Sequence, residues 1–194
     1  MQVQQLTYPA TTVITLEEAK NHLRVDTNLE DMLIMDCIRS ATSMIEAYTN
    51  RILISSTYTA FLDEAEIAEK TPFELRGYYP ITEISSIEYY NISGIWATIS
   101  SADYSKDIIG HVARIYFTKL PQVKANTLNT YKINFTAGYT DRDKIPYEII
   151  GWVKIITGFY YESRQSEYTG NTGNVTNELQ YNYQRSLDKF ISTL

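Results

Sequence analysis

Cysteine occurs once in the 194 residues, as Cys37, so no intramolecular disulfide can form and the chain needs no oxidising compartment. Histidine occurs twice, and neither His22 nor His111 has a Cys or His neighbour at metal-ligand spacing, so no metal or other cofactor is expected. There is no excess of basic charge. Seventeen Lys and Arg against 23 Asp and Glu leave a net charge of −6, which argues against a general electrostatic grip on nucleic acid. No run approaches ~18 uninterrupted apolar residues, so no membrane span is expected. The opening Met1-Gln2-Val3-Gln4-Gln5 has neither the basic nor the apolar region of a secretory leader. The Asn-x-Ser/Thr triplets at Asn91, Asn134 and Asn174 therefore read as chance matches.

Catalytic signatures are missing too. No G-x-S-x-G, P-loop or dinucleotide fingerprint occurs, and no catalytic residue is assigned. Asp141-Arg142-Asp143-Lys144 opens like a calcium loop, but Pro146 stands where such a loop requires glycine. Carboxylate pairs such as Asp63 with Glu64, or Glu66 with Glu69, could in principle do acid–base work. The stretch Asp63–Glu69 reads better as a solvated acidic loop.

What the chain does have is tyrosine, 17 copies against two tryptophans. Tyr couples a rigid apolar ring to a polar tip and suits both strands and wet protein interfaces. Hydrophobic residues make up 44% and charged residues 21%, as in an ordinary globular chain.

Residues 1–14 read as extended, with Pro9 interrupting. Thr15-Leu16-Glu17-Glu18 is a capping box, and Leu16, Ala19 and Leu23 share one face of the helix it starts, placed at 15–24. Asn28 is expected to cap a longer helix over 29–49, whose apolar stripe runs through Leu33, Ile34, Cys37, Ile38, Ala41, Met44, Ile45 and Tyr48. Cys37 on that stripe is expected to be a buried, inert thiol.

From 52 to 137 short runs rich in β-branched and aromatic residues alternate with turn residues such as Gly77, Pro80, Gly94, Gly110 and Pro121. Five or six strands are expected, forming a small antiparallel sheet or barrel. Pro146 suits a helix start, and Ile149, Trp152, Val153, Ile156, Phe159 and Tyr160 carry a helix over 146–164. Gly151 and Gly158 lie seven apart on it, a spacing that suits close approach of another element. After Gln165 the composition becomes rich in Ser, Thr, Gly and Asn and reads as a flexible linker. A last segment, Tyr183–Leu194, has little core left to join and is expected to order on a partner.

The expected fold class is thus α+β. A helical bundle of two N-terminal helices and one late helix carries an inserted antiparallel β region and an extended C-terminal tail. Residues 1–164 form the core and 165–194 the linker and docking segment.

The order of these elements, with Ile14-Thr15-Leu16-Glu17-Glu18-Ala19-Lys20-Asn21-His22-Leu23-Arg24-Val25-Asp26, Ile45-Glu46-Ala47-Tyr48-Thr49-Asn50-Arg51, Pro80-Ile81-Thr82-Glu83-Ile84-Ser85-Ser86-Ile87 and Phe135-Thr136-Ala137-Gly138-Tyr139, resembles the head–tail connector (adaptor) family of double-stranded DNA phages. Ile145-Pro146 and Tyr160-Tyr161-Glu162-Ser163-Arg164 bracket the late helix as in that family, and the resemblance covers about residues 12–166.

The resemblance implies a structural virion protein, assembled in the host cytoplasm, and not an enzyme. It implies a roughly twelve-fold homo-oligomeric ring closed by head-to-tail contacts at the head–tail junction. The partners it implies are the portal protein, downstream neck or tail proteins, and genomic DNA passing through the lumen without sequence-specific binding. Tyr181, Tyr183, Leu187 and Phe190 are the expected portal-docking residues. Another neck or tail-completion protein, or a small hydrolase, are the alternative readings.

Overall fold

The computed structural model describes residues 1–163, 182 and 184–191. The chain is α+β and divides into two compact units. One holds residues 1–9 and 55–140, the other residues 10–54 and the described residues from 141 onward.

The first unit is all β. Its larger sheet has the order β1-β2-β8-β4-β5, with β1 Gln2–Gln5, β2 Ser56–Leu62, β4 Ile81–Tyr90, β5 Trp96–Thr98 and β8 Tyr131–Ala137. A second sheet has the order β3-β7-β6, with β3 Pro72–Leu75, β6 Tyr104–Asp107 and β7 Ala113–Phe117. Every pairing is antiparallel.

β8 explains the layout. Tyr131, Ile133, Phe135 and Ala137 are buried while the residues between them are half-buried, so the period-two pattern becomes one inner and one outer face. β7 repeats this with Ala113, Ile115 and Phe117 buried. Burying a side chain such as Phe135 or Ile115 stabilises by about 2–3 kcal/mol, so these rows supply much of the unit's driving force.

β4 lacks a two-residue period. Its isoleucines, Ile81, Ile84 and Ile87, fall every third residue, yet all three are buried. Two register shifts reconcile this. Thr82 and Ser85 are extra residues in the pairing with β8, and each bulge returns the next isoleucine to the inner face. The Thr82 and Ser85 hydroxyls donate to the Thr136 and Asn134 carbonyls, at 3.3 and 3.0 Å. Lys106 Nζ donates to the Ile84 carbonyl at 2.7 Å.

On the outer face Asn134 ties three strands together. Its Nδ2 donates to Ser86 Oγ and Glu88 Oε1, both at 2.8 Å, and its Oδ1 accepts from Thr59 Oγ1 at 2.6 Å.

Among the described residues eight strands form, seven of them between 52 and 137, where five or six were expected. β6 was the omission there, and β1 falls in the stretch read as extended; both are short and mostly polar, so neither carries an apolar signal. The acidic stretch is solvent-exposed as its composition suggested, but it is ordered: Glu64–Glu66 form a 3-10 turn and the carboxylates have partners. Asp63 accepts from the Asn129 amide at 2.6 Å, Glu69 from the Leu120 amide at 2.7 Å, and Glu66 pairs with the N-terminal ammonium. That pairing, with the Asp63 amide, holds the Glu66 carboxyl below its ordinary range. Burial, with Glu64 and Glu69 nearby, pushes the Tyr131 phenol up to about 12.

The second unit is helical: α1 Leu16–Leu23, α2 Asp31–Thr49 and α3 Tyr147–Ser163. The capping box forms as expected, with the Glu18 amide donating to Thr15 Oγ1 at 3.1 Å and the Thr15 amide to Glu18 Oε2 at 2.9 Å. Burial alone would push the Glu18 carboxyl up, but the Thr15 amide, Arg142 and Lys154 outweigh it and hold it low. Asn28 does not cap α2. The helix begins two residues later, with Glu30 as its cap, and the Asn28 side chain accepts from Lys20 Nζ instead. On the α2 stripe Ile34, Cys37, Ile38, Ala41 and Ile45 are buried, and Leu33, Met44 and Tyr48 are half-buried. α3 starts after Pro146, whose carbonyl accepts from the Ile149 and Ile150 amides.

The two glycines of α3 differ. A Cβ on Gly158 would sit 3.6 Å from Leu23 Cδ2 and 3.8 Å from His22 Nε2, so α1 does approach closely there. A Cβ on Gly151 would meet nothing within 4 Å. After α2, Asn50 takes a left-handed conformation and the Leu53 amide returns to donate to Glu46 Oε1 at 2.7 Å. Burial pushes the Glu46 carboxyl above its ordinary range, against the lowering effect of that amide.

Two outcomes follow from these helices. Glycine inside a helix costs ~1 kcal/mol relative to alanine, so Gly151→Ala is expected to raise thermal stability by about that amount. A lowered melting temperature would contradict the open space at Gly151. Glu46 holds its proton more tightly folded than unfolded. The stability this contributes is full below the unfolded carboxyl's range and is lost as pH rises through the raised folded value. Glu46→Gln keeps an acceptor for the Leu53 amide without the charge. It is expected to raise the urea midpoint at neutral pH, the advantage shrinking as pH falls towards about 4. An equal gain at both pH values would show that charge is not the cause.

Candidate functional site

Surfaces available to partners occur in both units. In the β unit, turn geometry projects apolar side chains outward. Asn91 Oδ1 accepts from the Ser93 and Ile95 amides, both at 3.0 Å, and Gly94 takes φ +77°, so the β4–β5 turn is held rigid. Ile92 and Ile95 on that turn are 68% and 64% exposed. In the β6–β7 connection Asp107 accepts from the Ile109 amide at 3.2 Å and pairs with Arg114, and the His111 ring lies 4.4 Å from the Tyr79 ring. The Arg114 hydrogen bond, then the Ile109 amide, hold the Asp107 carboxyl below its usual range. Ile109, between these anchors, is 96% exposed. A rigid turn that presents an isoleucine to water has the form of a contact knob.

Tyrosine is spread across both roles. Tyr58 and Tyr131 are buried, and Tyr58 packs at 5.3–5.4 Å between ring centres with Tyr78 and Phe135. Tyr8 and Tyr147 are 82% and 80% exposed. On the outer face of the larger sheet Lys132 Nζ lies 3.6 Å from the Trp96 ring centre.

In the helical unit a surface pocket of about 310 Å³ is lined by Arg142, Asp143, Tyr147, Ile150, Gly151 and Lys154. Both its cations already face Glu18, Arg142 at 2.6 Å and Lys154 at 3.5 Å, so it is not a strongly basic site. Among the described residues no group of three His, Cys, Asp or Glu could hold a metal ion, and no helix is long and apolar enough to cross a membrane. Asn134, one of the glycosylation-type triplets, is engaged in the sheet.

The expected docking residues divide. Tyr181 and Tyr183 lie outside the described residues. Leu187 is fully buried, and Phe190 is half-buried. The expectation that the last segment has little core to join is therefore revised, because the helical unit itself receives it. Residues 184–187 are helical and a 3-10 turn, Asp188–Phe190, follows.

Four contacts surround Leu187. Trp152 Nε1 donates to Ser186 Oγ at 2.9 Å, and Tyr48 donates to the Asp188 carboxylate. Lys189 Nζ pairs with Glu148 at 2.6 Å. Arg51 donates through Nε to the Phe190 carbonyl and sets its guanidinium 5.6 Å from the Phe190 ring centre. Tyr48, Arg51 and Trp152 were read only as helix residues or a helix ending. Their sequence signal is faint: an arginine after an apolar helix can as well face water, and only its burial here marks it as a receptor.

The sequence model of the family described as "Phage gp6-like head-tail connector protein" matches residues 13–109. No curated protein matches the chain. Among solved structures, a chain in the neck of an empty GTA particle computed with C6 symmetry superposes with TM-score 0.69 at 23% identity, covering 84% of each chain. Chains in the virion of a native gene transfer agent particle, and in the neck of that particle computed with C12 symmetry, each give 0.67 at 20% identity, again over 84% of each chain. At these identities the structures speak for the fold, and the family match spans half of the sequence. The chain belongs to the phage gp6-like head–tail connector protein family.

Proposed function

We propose that this protein is a structural, non-catalytic component of the neck of a phage or phage-like particle, one subunit of a roughly twelve-fold ring at the head–tail junction. The observation that carries the reading is the connector-family match over residues 13–109, joined to a fold shared with chains of particle necks computed with C6 and C12 symmetry. Rigid turns bearing Ile92, Ile95 and Ile109, with the exposed Tyr8 and Tyr147, suit broad lateral contacts between copies.

The ring docks on the portal, extends the DNA channel and offers a platform to the next neck or tail protein. A net charge of −6 suits a lumen that lets DNA slide without gripping it. The C-terminal segment faces the portal. Tyr181, Tyr183 and Phe190 make the contact, while buried Leu187 anchors the segment to the helical unit.

Mass measurement of the purified protein, alone and with portal, tests the ring. A ring-sized complex, formed alone or only on portal, is the expected result, and a persistent monomer that ignores portal would sink the reading. For the docking segment, Tyr181→Ala, Tyr183→Ala and Phe190→Ala combined are expected to weaken portal binding at least about tenfold, as loss of interface aromatics does. Unchanged affinity would remove the portal role from these residues.

A further inference from the structure

The larger sheet ends in two bare strands. β1 and β5 lie at its edges, and no further strand pairs with either among the described residues. An edge strand offers unpaired N–H and C=O groups to any other strand, and proteins commonly blunt such edges with charge or proline. The smaller sheet does so. Its edge β3 carries Pro72 and Glu74, and its edge β6 carries Lys106 and Asp107. The larger sheet does not. Residues 1–8 hold no proline and no charged side chain, and neither do residues 92–102. All four edge strands are three or four residues long, so length does not separate the two cases.

The register names the outward groups. The Leu6 amide donates to the Thr57 carbonyl, and Gln4 and Gln2 face β2 in the same way, which leaves the backbones of Val3 and Gln5 facing out. Just beyond them the Thr7 carbonyl is taken by Gln5 Nε2, at 3.0 Å. On β5 the Ile99 amide donates to the Ile87 carbonyl and Ala97 lies opposite Tyr89, so the backbones of Trp96 and Thr98 face out. Exposed apolar side chains flank both edges, Leu6 and Tyr8 after β1, Ile92 and Ile95 before β5. Each neighbouring pair in the five-stranded sheet is antiparallel, so its first and fifth strands run the same way. Rotation about a ring axis keeps that sense, and β5 of one copy meets β1 of the next as a parallel pair.

We infer that in the assembled ring β1 of each subunit pairs in parallel with β5 of its neighbour, so that the larger sheet continues from copy to copy. This rests on the ring reading above and names one of its lateral contacts. The occupant of each edge is a second copy, because one such contact, repeated, covers both bare edges of every subunit. A β1-to-β1 pair would cover one edge and stop at a dimer. So short a parallel pair is weak by itself, and the apolar side chains beside it add burial to the few backbone hydrogen bonds.

The test joins the two edges covalently. Gln4 and Thr98 are exposed and lie on the outer face of their strands, opposite Thr59 and Glu88. Within one chain they stand four strand spacings apart, about 19 Å, further than a short bis-maleimide spans. Gln4→Cys with Thr98→Cys is made in a Cys37→Ala background that removes the buried native thiol. Rings are assembled on purified portal, their mass is verified, and they are treated with the reagent before a denaturing gel. The expected product is a ladder of covalent multimers. From rings of intact mass, no ladder, or a band joining one subunit to portal, would overturn the strand pairing and leave the ring reading standing. Failure of the unmodified protein to form any ring would overturn both. Independently, Gln4→Lys with Thr98→Lys sets a charge on each bare edge. The pair is expected to abolish the ring with the subunit's unfolding midpoint unchanged, and rings in normal yield would overturn the pairing.

Discussion

Strand β8 sits in the middle of the larger sheet, paired on one side to β2 and on the other to β4, and the β unit depends on it. Its inner face, Tyr131, Ile133, Phe135 and Ala137, lies in the core, and its outer face carries Asn134, which bonds to residues of both neighbours. A one-residue slip would turn all four buried side chains to the outer face and strand the Asn134 amide among apolar groups. The register therefore has an apolar and a polar guarantee at once. The bulges at Thr82 and Ser85 are a consequence, since β4 must bend its three-residue isoleucine spacing to the two-residue pleat of β8.

The helical unit uses a different logic. α1, α2 and α3 pack through small residues and stripes, with Gly158 against Leu23 and His22 and with Ala19 and Ala41 fully buried. Its apolar core is completed by a residue remote in sequence, Leu187. Ordering that residue places Tyr48, Arg51 and Trp152 in contact with the last described residues.

The site that emerges is a set of surfaces instead of a cleft. Rigid turns project isoleucines, exposed tyrosines stand apart from the core, and the Arg142–Lys154 pocket has both its cations facing Glu18, with Asp143 also in its lining. That is the chemistry of a part that positions other parts. It accords with a connector family and with the folds of particle necks.

Much of this was legible beforehand. The Thr15–Glu18 box, the α2 stripe, Pro146 as a helix start and the alternation of β8 are local patterns, and local backbone preference with side-chain period suffices to set them. The family resemblance rested on the order of the same elements. Other features needed the tertiary structure. Thr82 and Ser85 become bulges only because β8 lies beside them. The carboxylates of Asp63–Glu69 gain partners at Met1, Leu120 and Asn129, far along the chain, and Asn28 loses its capping role to a contact with Lys20. Leu187 finds a seat that no window of its own segment could reveal. Sequence reports what each stretch can do with its neighbours in the chain, whereas long-range contacts decide which of those options is used, because burial and hydrogen-bond satisfaction depend on what arrives from elsewhere.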